Sequence, residues 1–237
     1  KGYLKMGIIK NLKSSKNKYP NLLKIYYKVR FFIRCFKNKE ARHHLFWILI
    51  RGDRWLYKRY SLSEDDIFID GGSFRGEFIE KITDYYDCKA FGFEPLSEYA
   101  EILNQKFINN PKVKIIDSAL SSEDGSAYFN EDQQSSYIDN KKTKQLVRTK
   151  RLETFMKEES IKNIGLLKLN VEGSEYEIIE SLIKSEKISN IKHLHIQFHD
   201  FIDNSEVRRK ELIDKLKKTH KQVWSFYFVW ERWDRIS

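Results

Sequence analysis

The chain has few of the residues that mark several classes of protein. Its 237 residues include two cysteines, Cys35 and Cys88, which is too few for a disulfide framework, and neither belongs to a CxxC pair that would indicate zinc. Three prolines and ten glycines exclude collagen-like and proline-rich linker sequences. The longest wholly apolar run, residues 45–50, is far shorter than the ~20 residues that span a bilayer. The charged start lacks the apolar core of a signal peptide. We therefore expect a globular cytoplasmic protein.

Positive charge is concentrated at the start of the chain. The net charge is +10, but residues 1–60 contain 17 Lys and Arg against only Glu40 and Asp53, a balance of +15. The other 177 residues contain 27 Lys and Arg and 32 Asp and Glu, a balance of −5. This separation predicts a basic N-terminal extension, residues 1–60, and a mildly acidic domain, residues 61–237.

An apolar stripe at helical spacing lies inside the extension. Its members are Leu22, Ile25, Tyr26, Val29, Phe32, Ile33 and Phe36. Basic residues lie between them, so the pattern predicts an amphipathic basic helix. The stripe could cover the main domain or a second copy of the chain, with its charges solvated. Alternatively, residues 1–37 could attach the protein to an anionic membrane surface on the inner face, or bind nucleic acid, which we favour least.

From residue 65 onward, short apolar runs alternate with helical stretches. The predicted strands are residues 67–70, 90–94, 113–117, 166–170 and 193–199. Such alternation predicts an α/β fold with a mostly parallel sheet and helices on both faces. A polar insert, residues 121–150, is expected to cross the carboxyl edge of that sheet.

A glycine turn follows the first predicted strand directly. Asp70 leads into residues 71–77, GGSFRGE, and the second predicted strand ends in Glu94 and Pro95. Glycine lets a ligand approach the backbone, and a carboxylate at the end of the next strand can accept both hydroxyls of a ribose. The two features together predict a nucleoside site at the carboxyl edge of the sheet.

Glycine spacing and charge indicate which nucleoside binds. The GxGxxG spacing that brings a pyrophosphate to a helix N-terminus is missing. Asp70 and Glu77 beside the turn would repel phosphates but suit a cation. S-adenosylmethionine carries a sulfonium and an ammonium, so we predict it as the cofactor.

Five segments, in this order, resemble the FkbM family of S-adenosylmethionine-dependent methyltransferases. They are FIDGGSFRGEF at residues 68–78, FGFEP at 91–95, ALSSEDG at 119–125, RLETF at 151–155 and LLKLNVEGSE at 166–175. The resemblance covers about residues 65–200. It implies a class I, Rossmann-like methyltransferase fold that acts on hydroxyl oxygens of sugars or other small metabolites.

The resemblance also implies roles for individual residues. Asp70, Gly72 and Gly76 would hold the methionine part of the cofactor. Glu94 would hold the ribose, and Ser118 and Ala119 would lie against adenine. The whole predicted cofactor site is Asp70, Gly71, Gly72, Ser73, Gly76, Glu77, Glu94, Pro95, Ser118, Ala119 and Asn170. The family usually has Asp-Val-Glu-Gly where this chain has residues 170–173, NVEG, so a carboxylate role does not carry over to position 170.

A base must take the proton of the acceptor hydroxyl, and candidates belong at the carboxyl ends of the fourth and fifth predicted strands. These candidates are Glu172, His195, His199 and Asp200. The histidines alternate on one face of the predicted strand 193–199, and His199 is nearest its end. Imidazole titrates near neutral pH, which favours His199 as the base. Packing of both histidines in the core is the alternative.

A metal site is the other chemistry considered for this edge of the sheet. Asn170, Glu172, His199 and Asp200 could offer oxygen and nitrogen ligands to a divalent ion. No local ligand spacing supports such a site, so none is predicted.

These features favour an O-methyltransferase that modifies a sugar hydroxyl on a glycan, glycolipid or nucleotide sugar. One alternative is an RNA methyltransferase, in which the basic extension binds phosphates. Another is a non-catalytic scaffold that keeps the nucleoside fold. The glycine turn, Glu94 and Glu172 argue against the scaffold.

Overall fold

The computed structural model describes residues 29–30, 33, 35–36, 38–54, 56–130 and 144–236. Most of the predicted basic helix, residues 22–36, and the middle of the polar insert therefore lie outside the described residues. The described positions within residues 22–36 are helical. The extension as a whole stays a prediction. None of the helices in the described ranges combines the length and apolar character that crossing a bilayer requires.

In the described part of the chain, ten strands form two sheets. Their bounds are β1 Ile67–Gly71, β2 Lys89–Glu94, β3 Val113–Asp117, β4 Ala119–Ser121, β5 Gly125–Asn130, β6 Lys144–Arg151, β7 Ile164–Leu169, β8 Ile191–Ile196, β9 His220–Phe226 and β10 Trp230–Arg235. The large sheet has the order β3-β2-β1-β7-β8-β10-β9, and its first five strands are parallel. β10 runs antiparallel to both β8 and β9. β4, β6 and β5 form the small sheet.

Helices cover both faces of the large sheet. They are α1 Lys39–Leu49, α2 Glu77–Tyr86, α3 Ser97–Lys106, α4 Leu152–Glu158, α5 Glu175–Lys184 and α6 Ser205–Leu216. On α2, Phe78, Ile79 and Ile82 are buried at three- and four-residue steps, so one stripe of the helix faces the sheet. The predicted α/β fold, with a mostly parallel sheet between helices, is confirmed.

The two faces of the sheet bury separate cores. In β1, Ile69 packs into a core with α5 and α6, whereas its neighbour Phe68 packs into the opposite core with α2. Trp47, Leu56 and Tyr60 are buried in this second core. Trp47, Leu56 and Tyr60 thus pack on the domain, although the sequence assigns them to the extension. The division of the chain at residue 60 stays a prediction.

The fifth predicted strand is shorter than its residue pattern indicates. β8 ends at Ile196, so the prediction that His199 lies on this strand is wrong. The neighbouring strand β7 ends at Leu169. The Leu169 carbonyl accepts the last backbone hydrogen bond between the two strands, from the Gln197 amide, at 2.9 Å. Beyond that point the His199 carbonyl accepts from the Tyr176 hydroxyl, at 2.8 Å. His199 consequently lies in the loop after β8, still at the carboxyl edge of the sheet.

Candidate active site

The glycine turn after β1 touches the loop after β7. Gly72 has a φ of +82°, and a Cβ at this position would lie 2.0 Å from the carbonyl oxygen of Asn170. The Asn170 amide donates to the carbonyl oxygen of Gly71, at 3.0 Å. A side chain at position 72 would therefore strain the backbone and force the two loops apart.

A buried ion pair lies beneath this turn. Asp70 is fully buried, and Lys168 Nζ lies 2.7 Å from its Oδ1. Lys168 also donates to the carbonyl oxygens of Gly72, at 2.7 Å, and Gly71, at 3.3 Å. Neither oxygen of Asp70 makes a well-directed hydrogen bond within the described residues. Burial raises the pKa of Asp70, and the Lys168 charge opposes that rise.

The sequence interpretation missed Lys168, although a signal was present. A lysine inside the apolar run LLKLN is out of place in a buried strand unless a partner compensates its charge. The register supplies that partner, because Lys168 lies directly opposite Asp70 in the parallel pair β1–β7. Lys168 thus links the carboxylate of the first motif to the carbonyls of the glycine turn.

Glu94, at the end of β2, fixes two loops. Its Oε2 accepts from the Phe74 amide of the glycine turn, at 2.8 Å, and its Oε1 accepts from the Leu96 amide, at 3.1 Å. Burial raises the pKa of Glu94 to about 7, because its effect is larger than that of the two hydrogen bonds, which lower the pKa. The carboxyl group therefore changes its charge near neutral pH.

A cavity of about 240 Å³ opens between the glycine turn and the loop after β7. Five predicted site residues line it: Gly72, Pro95, Ala119, Asn170 and Glu172. The small sheet forms its other wall through Ala127, Tyr128 and Thr149, which include residues of the predicted insert. The Asn170 Oδ1 is buried and has no hydrogen-bond partner among the described residues. It is therefore an available acceptor for a donor group of the predicted cofactor, and the cavity's residues fit that ligand.

Glu172 and His199 meet beside this cavity. His199 Nδ1 lies 2.9 Å from Glu175 Oε1, and His199 Nε2 lies 3.7 Å from Glu172 Oε2. Glu175 is fully buried and also accepts from the amides of Val171, at 2.8 Å, and Gly173, at 2.9 Å. Glu175 thus orients the imidazole and holds the loop that carries Glu172. The sequence interpretation missed this role, because an acidic residue in the first turn of a helix is common for electrostatic reasons alone.

The charges of this cluster oppose the effect of burial. Burial by itself lowers the pKa of His199, but the bond to Glu175 and the charges of Glu175, Glu172 and Asp200 raise it above its ordinary value. Burial also raises the pKa of Glu172. Glu172 has a φ of +52°, a left-handed conformation that non-glycine residues rarely adopt and that is often found at functional sites. The arrangement can take up a proton close to the cavity.

His195 lies apart from this cluster. It is fully buried in the core between the large sheet and α2, and its Nδ1 is hydrogen-bonded to the Tyr60 hydroxyl. The rings of Phe78, Trp224 and Trp230 surround it. Burial lowers the pKa of His195 well below its ordinary value, so the imidazole is neutral. The structure does not bring this candidate base to the cavity.

Other predicted cofactor residues have structural contacts of their own. Ser73 Oγ donates to the Asp70 carbonyl, at 3.1 Å, and Ser118 Oγ donates to the Asp117 carbonyl, at 2.6 Å. Gly76 precedes α2 with a φ of +70°, and Glu77 begins that helix. These residues, together with Asp70, Gly71 and Glu94, do not line the cavity, and their contact with the cofactor stays a prediction. Within the described ranges, no group of three or more His, Cys, Asp or Glu side chains is arranged to hold a metal ion.

Comparison with known proteins finds a family match and distant structural likenesses. The family model described as "Methyltransferase FkbM domain" matches residues 71–227. No curated protein matches the sequence significantly. A candidate rRNA methylase from Clostridium thermocellum is 11% identical, with a TM-score of 0.49, over 80% of this chain and 96% of its own. TrmK from M. capricolum, solved with S-adenosylhomocysteine, is 11% identical, with a TM-score of 0.43, over 77% and 66%. Likenesses this distant carry no argument about substrate.

Proposed function

Because this chain belongs to the FkbM family of S-adenosylmethionine-dependent methyltransferases, we propose that it methylates a hydroxyl oxygen of a sugar on a glycan, glycolipid or nucleotide sugar. The family match and the sheet together confirm the predicted class I methyltransferase fold. The cofactor is S-adenosylmethionine, as predicted. The identity of the acceptor is the proposed part.

A groove beside the cavity is the observation that carries the proposal. It encloses about 540 Å³ and shares Ser121, Ala127, Thr149 and Glu177 with the cofactor cavity. Hydroxyl and carboxylate groups dominate its lining, and neither Lys nor Arg lines it among the described residues. Hydroxyls and carboxylates are the hydrogen-bonding groups that suit a polyhydroxylated acceptor.

The charge of the groove discriminates between acceptors. Glu123, Asp124, Glu177 and Glu180 line it. Glu180 is paired with Arg208, at 2.8 Å, and Asp124 lies 3.8 Å from Lys150, so a phosphate backbone would chiefly meet the charges of Glu123 and Glu177. This disfavours RNA, and it makes a nucleotide sugar, with its diphosphate, the least favoured of the three sugar acceptors. The +15 charge of residues 1–60 favours RNA as the acceptor instead. RNA is therefore one of the acceptors in the methyl-transfer experiment.

The chain's own residues would position the acceptor and receive its proton. The bound cofactor supplies an electrophilic methyl group on its sulfonium. Asn170 and Glu172 line the cavity at the loop after β7, and His199 lies behind Glu172. We assign the proton of the acceptor hydroxyl to His199 Nε2, directly or through Glu172, while Glu175 holds the opposite ring nitrogen.

Methyl transfer by the purified chain tests the acceptor class. With isotopically labelled S-adenosylmethionine, we expect the labelled methyl group to appear in neutral glycans or glycolipids, as an acid-stable methyl ether. With unlabelled cofactor, mass spectrometry should show a 14 Da increase in the same acceptor. Label confined to RNA would reverse the assignment. Cofactor binding without label in any acceptor class would favour the non-catalytic scaffold.

Cofactor affinity should depend on the charge of Glu94. If the ionised carboxylate accepts the ribose hydroxyls, affinity for S-adenosylmethionine rises as pH rises through about 7, where Glu94 loses its proton. Calorimetry between pH 6 and pH 8 measures this. Glu94→Gln should bind at least about tenfold more weakly at pH 8, because a charge-assisted hydrogen bond contributes about 1.5 kcal/mol or more. Its affinity should also be flat across this pH range.

The control for this measurement is Glu98→Gln, which removes an exposed carboxylate in the first turn of α3 and lies outside the predicted site. It should keep the wild-type pH dependence. Unchanged affinity in Glu94→Gln would contradict the assignment of Glu94 to the ribose.

A further inference from the structure

Helix α1 is fixed to the domain by one side. Trp47 is 4% exposed, and its ring packs against Trp224 and Phe226 of β9, with ring centroids 5.8 and 4.9 Å away. Its Nε1 donates to Asp53 Oδ1, at 2.9 Å. Asn38 caps the helix by accepting from the Ala41 amide, at 2.9 Å. The orientation of α1 on the edge of the sheet is therefore set by these contacts.

The exposed surface at the C-terminal end of α1 is largely apolar, although the Phe46 ring also stacks on Phe226 of β9, with ring centroids 6.0 Å apart. Phe46, Ile48 and Leu49 are 55%, 54% and 69% exposed, three large apolar side chains within four residues. Scattered exposed apolar residues are ordinary, but a contiguous group on an anchored helix marks an interaction surface. We call Phe46, Ile48 and Leu49 the α1 ridge.

Positive charge surrounds the ridge. Arg42 lies one turn before it, Arg51 and Arg54 follow it, and all three are exposed. The nearby carboxylate of Asp53 accepts the hydrogen bond from Trp47 Nε1. Residues 1–60 as a whole carry a net charge of +15. An apolar ridge flanked by arginines is complementary to a surface that is apolar inside and anionic outside, which is the surface of an anionic bilayer. RNA would use the arginines and leave the ridge exposed.

We propose that the α1 ridge docks on an anionic membrane, with Phe46, Ile48 and Leu49 below the headgroups and Arg42 and Arg51 at the lipid phosphates. Arginine stems can extend from an apolar layer toward phosphates, so one helix can make both contacts. The docking is peripheral and reversible. It adds a contact, on a helix whose orientation the domain fixes, to the membrane contact that the sequence predicts for residues 1–37.

Sedimentation with vesicles tests the proposal on the full chain. The vesicles are phosphatidylcholine alone, or phosphatidylcholine mixed with anionic phosphatidylglycerol. We expect binding to the mixed vesicles, release by added salt, and little binding to phosphatidylcholine alone. Phe46→Ser together with Leu49→Ser should weaken binding at least about tenfold, since lost burial of large apolar side chains has that effect. The control, Ile108→Ser, removes a side chain that is also 69% exposed but lies outside α1.

Hydrogen exchange gives a second test that needs no variant. On the unaltered chain, the α1 amides should exchange more slowly when mixed vesicles are added. Wild-type binding to neither vesicle, or equal binding by the serine variant, overturns the proposal. Salt-sensitive binding to RNA without vesicle binding also overturns it. A concentration-dependent dimer that the serine variant abolishes, again without vesicle binding, would assign the ridge to a second copy of the chain.

Discussion

Replacement of His199 by alanine should lower turnover by about 10²- to 10⁴-fold and leave the affinity for S-adenosylmethionine nearly unchanged, because a base acts in the transition state. The imidazole lies beside Glu172 at the edge of the cavity, where an acceptor hydroxyl would be bound. Steady-state kinetics and calorimetry on the same preparation separate the two effects. Turnover that survives His199→Ala but collapses in Glu172→Gln would make the carboxylate the base.

The pH dependence of turnover gives an independent test of whether His199 is the base. His199 has a raised pKa, so it is protonated, and unable to accept a proton, below that pKa. With S-adenosylmethionine at saturation, we expect kcat/KM for the acceptor to rise with pH and then level off, with a midpoint above 6.5, the ordinary pKa of histidine. In Glu175→Gln, loss of the adjacent charge should move this midpoint to lower pH. A variant that merely loosened the fold would lower activity without that displacement.

Local features of the sequence were sufficient to predict several residues that line one cavity. The glycine turn and Glu94 each follow directly from a strand end, and strand ends are well marked by short apolar runs. Gly72, Pro95, Ala119, Asn170 and Glu172 are indeed brought together around one cavity. Parallel strands place their carboxyl ends at one edge, so residues distant in sequence become neighbours without further information.

Features that depend on a partner elsewhere in the chain were not predictable in this way. The alternation HLHIQFH continues to His199, but the strand stops where β7 no longer offers a hydrogen-bonding neighbour. His195 resembles His199 in the pattern only because alternation does not reveal that the Tyr60 hydroxyl is hydrogen-bonded to His195. Lys168 and Glu175 take their roles from Asp70 and His199, which only the assembled fold brings close.

The contribution of residues 47–60 to the core has the same origin. Their composition resembles the basic segment before them, so charge alone places them in the extension. Trp47, Leu56 and Tyr60 nevertheless fill the space beside α2. Burial of a few large side chains decides where a domain begins, and a net charge does not report it.

The buried pair under the glycine turn leads to the second large expected effect. Lys168→Met keeps an apolar stem but removes the ammonium next to Asp70, which is fully buried. Removing one partner of a buried ion pair costs about 3–5 kcal/mol, because the other charge is left uncompensated. We therefore expect the free energy of unfolding to fall by that amount at pH 8, as measured by urea denaturation, with weaker cofactor binding because the turn loses its lysine bonds.

The loss of stability in Lys168→Met should depend on pH in a defined direction. Burial already raises the pKa of Asp70 in the folded protein, and without Lys168 it rises further, whereas the unfolded chain keeps a pKa of about 3.9. The folded variant then binds a proton that the unfolded chain releases, so its stability falls as pH rises from about 4 to the folded pKa. Relative to wild type, Lys168→Met should thus be less destabilised at pH 5 than at pH 8. Adding Asp70→Asn should restore much of the loss at pH 8, since no charge is then left buried. Equal destabilisation at both pH values, without rescue by Asp70→Asn, would mean that the lysine acts through its bonds to Gly71 and Gly72 and not through the charge of Asp70.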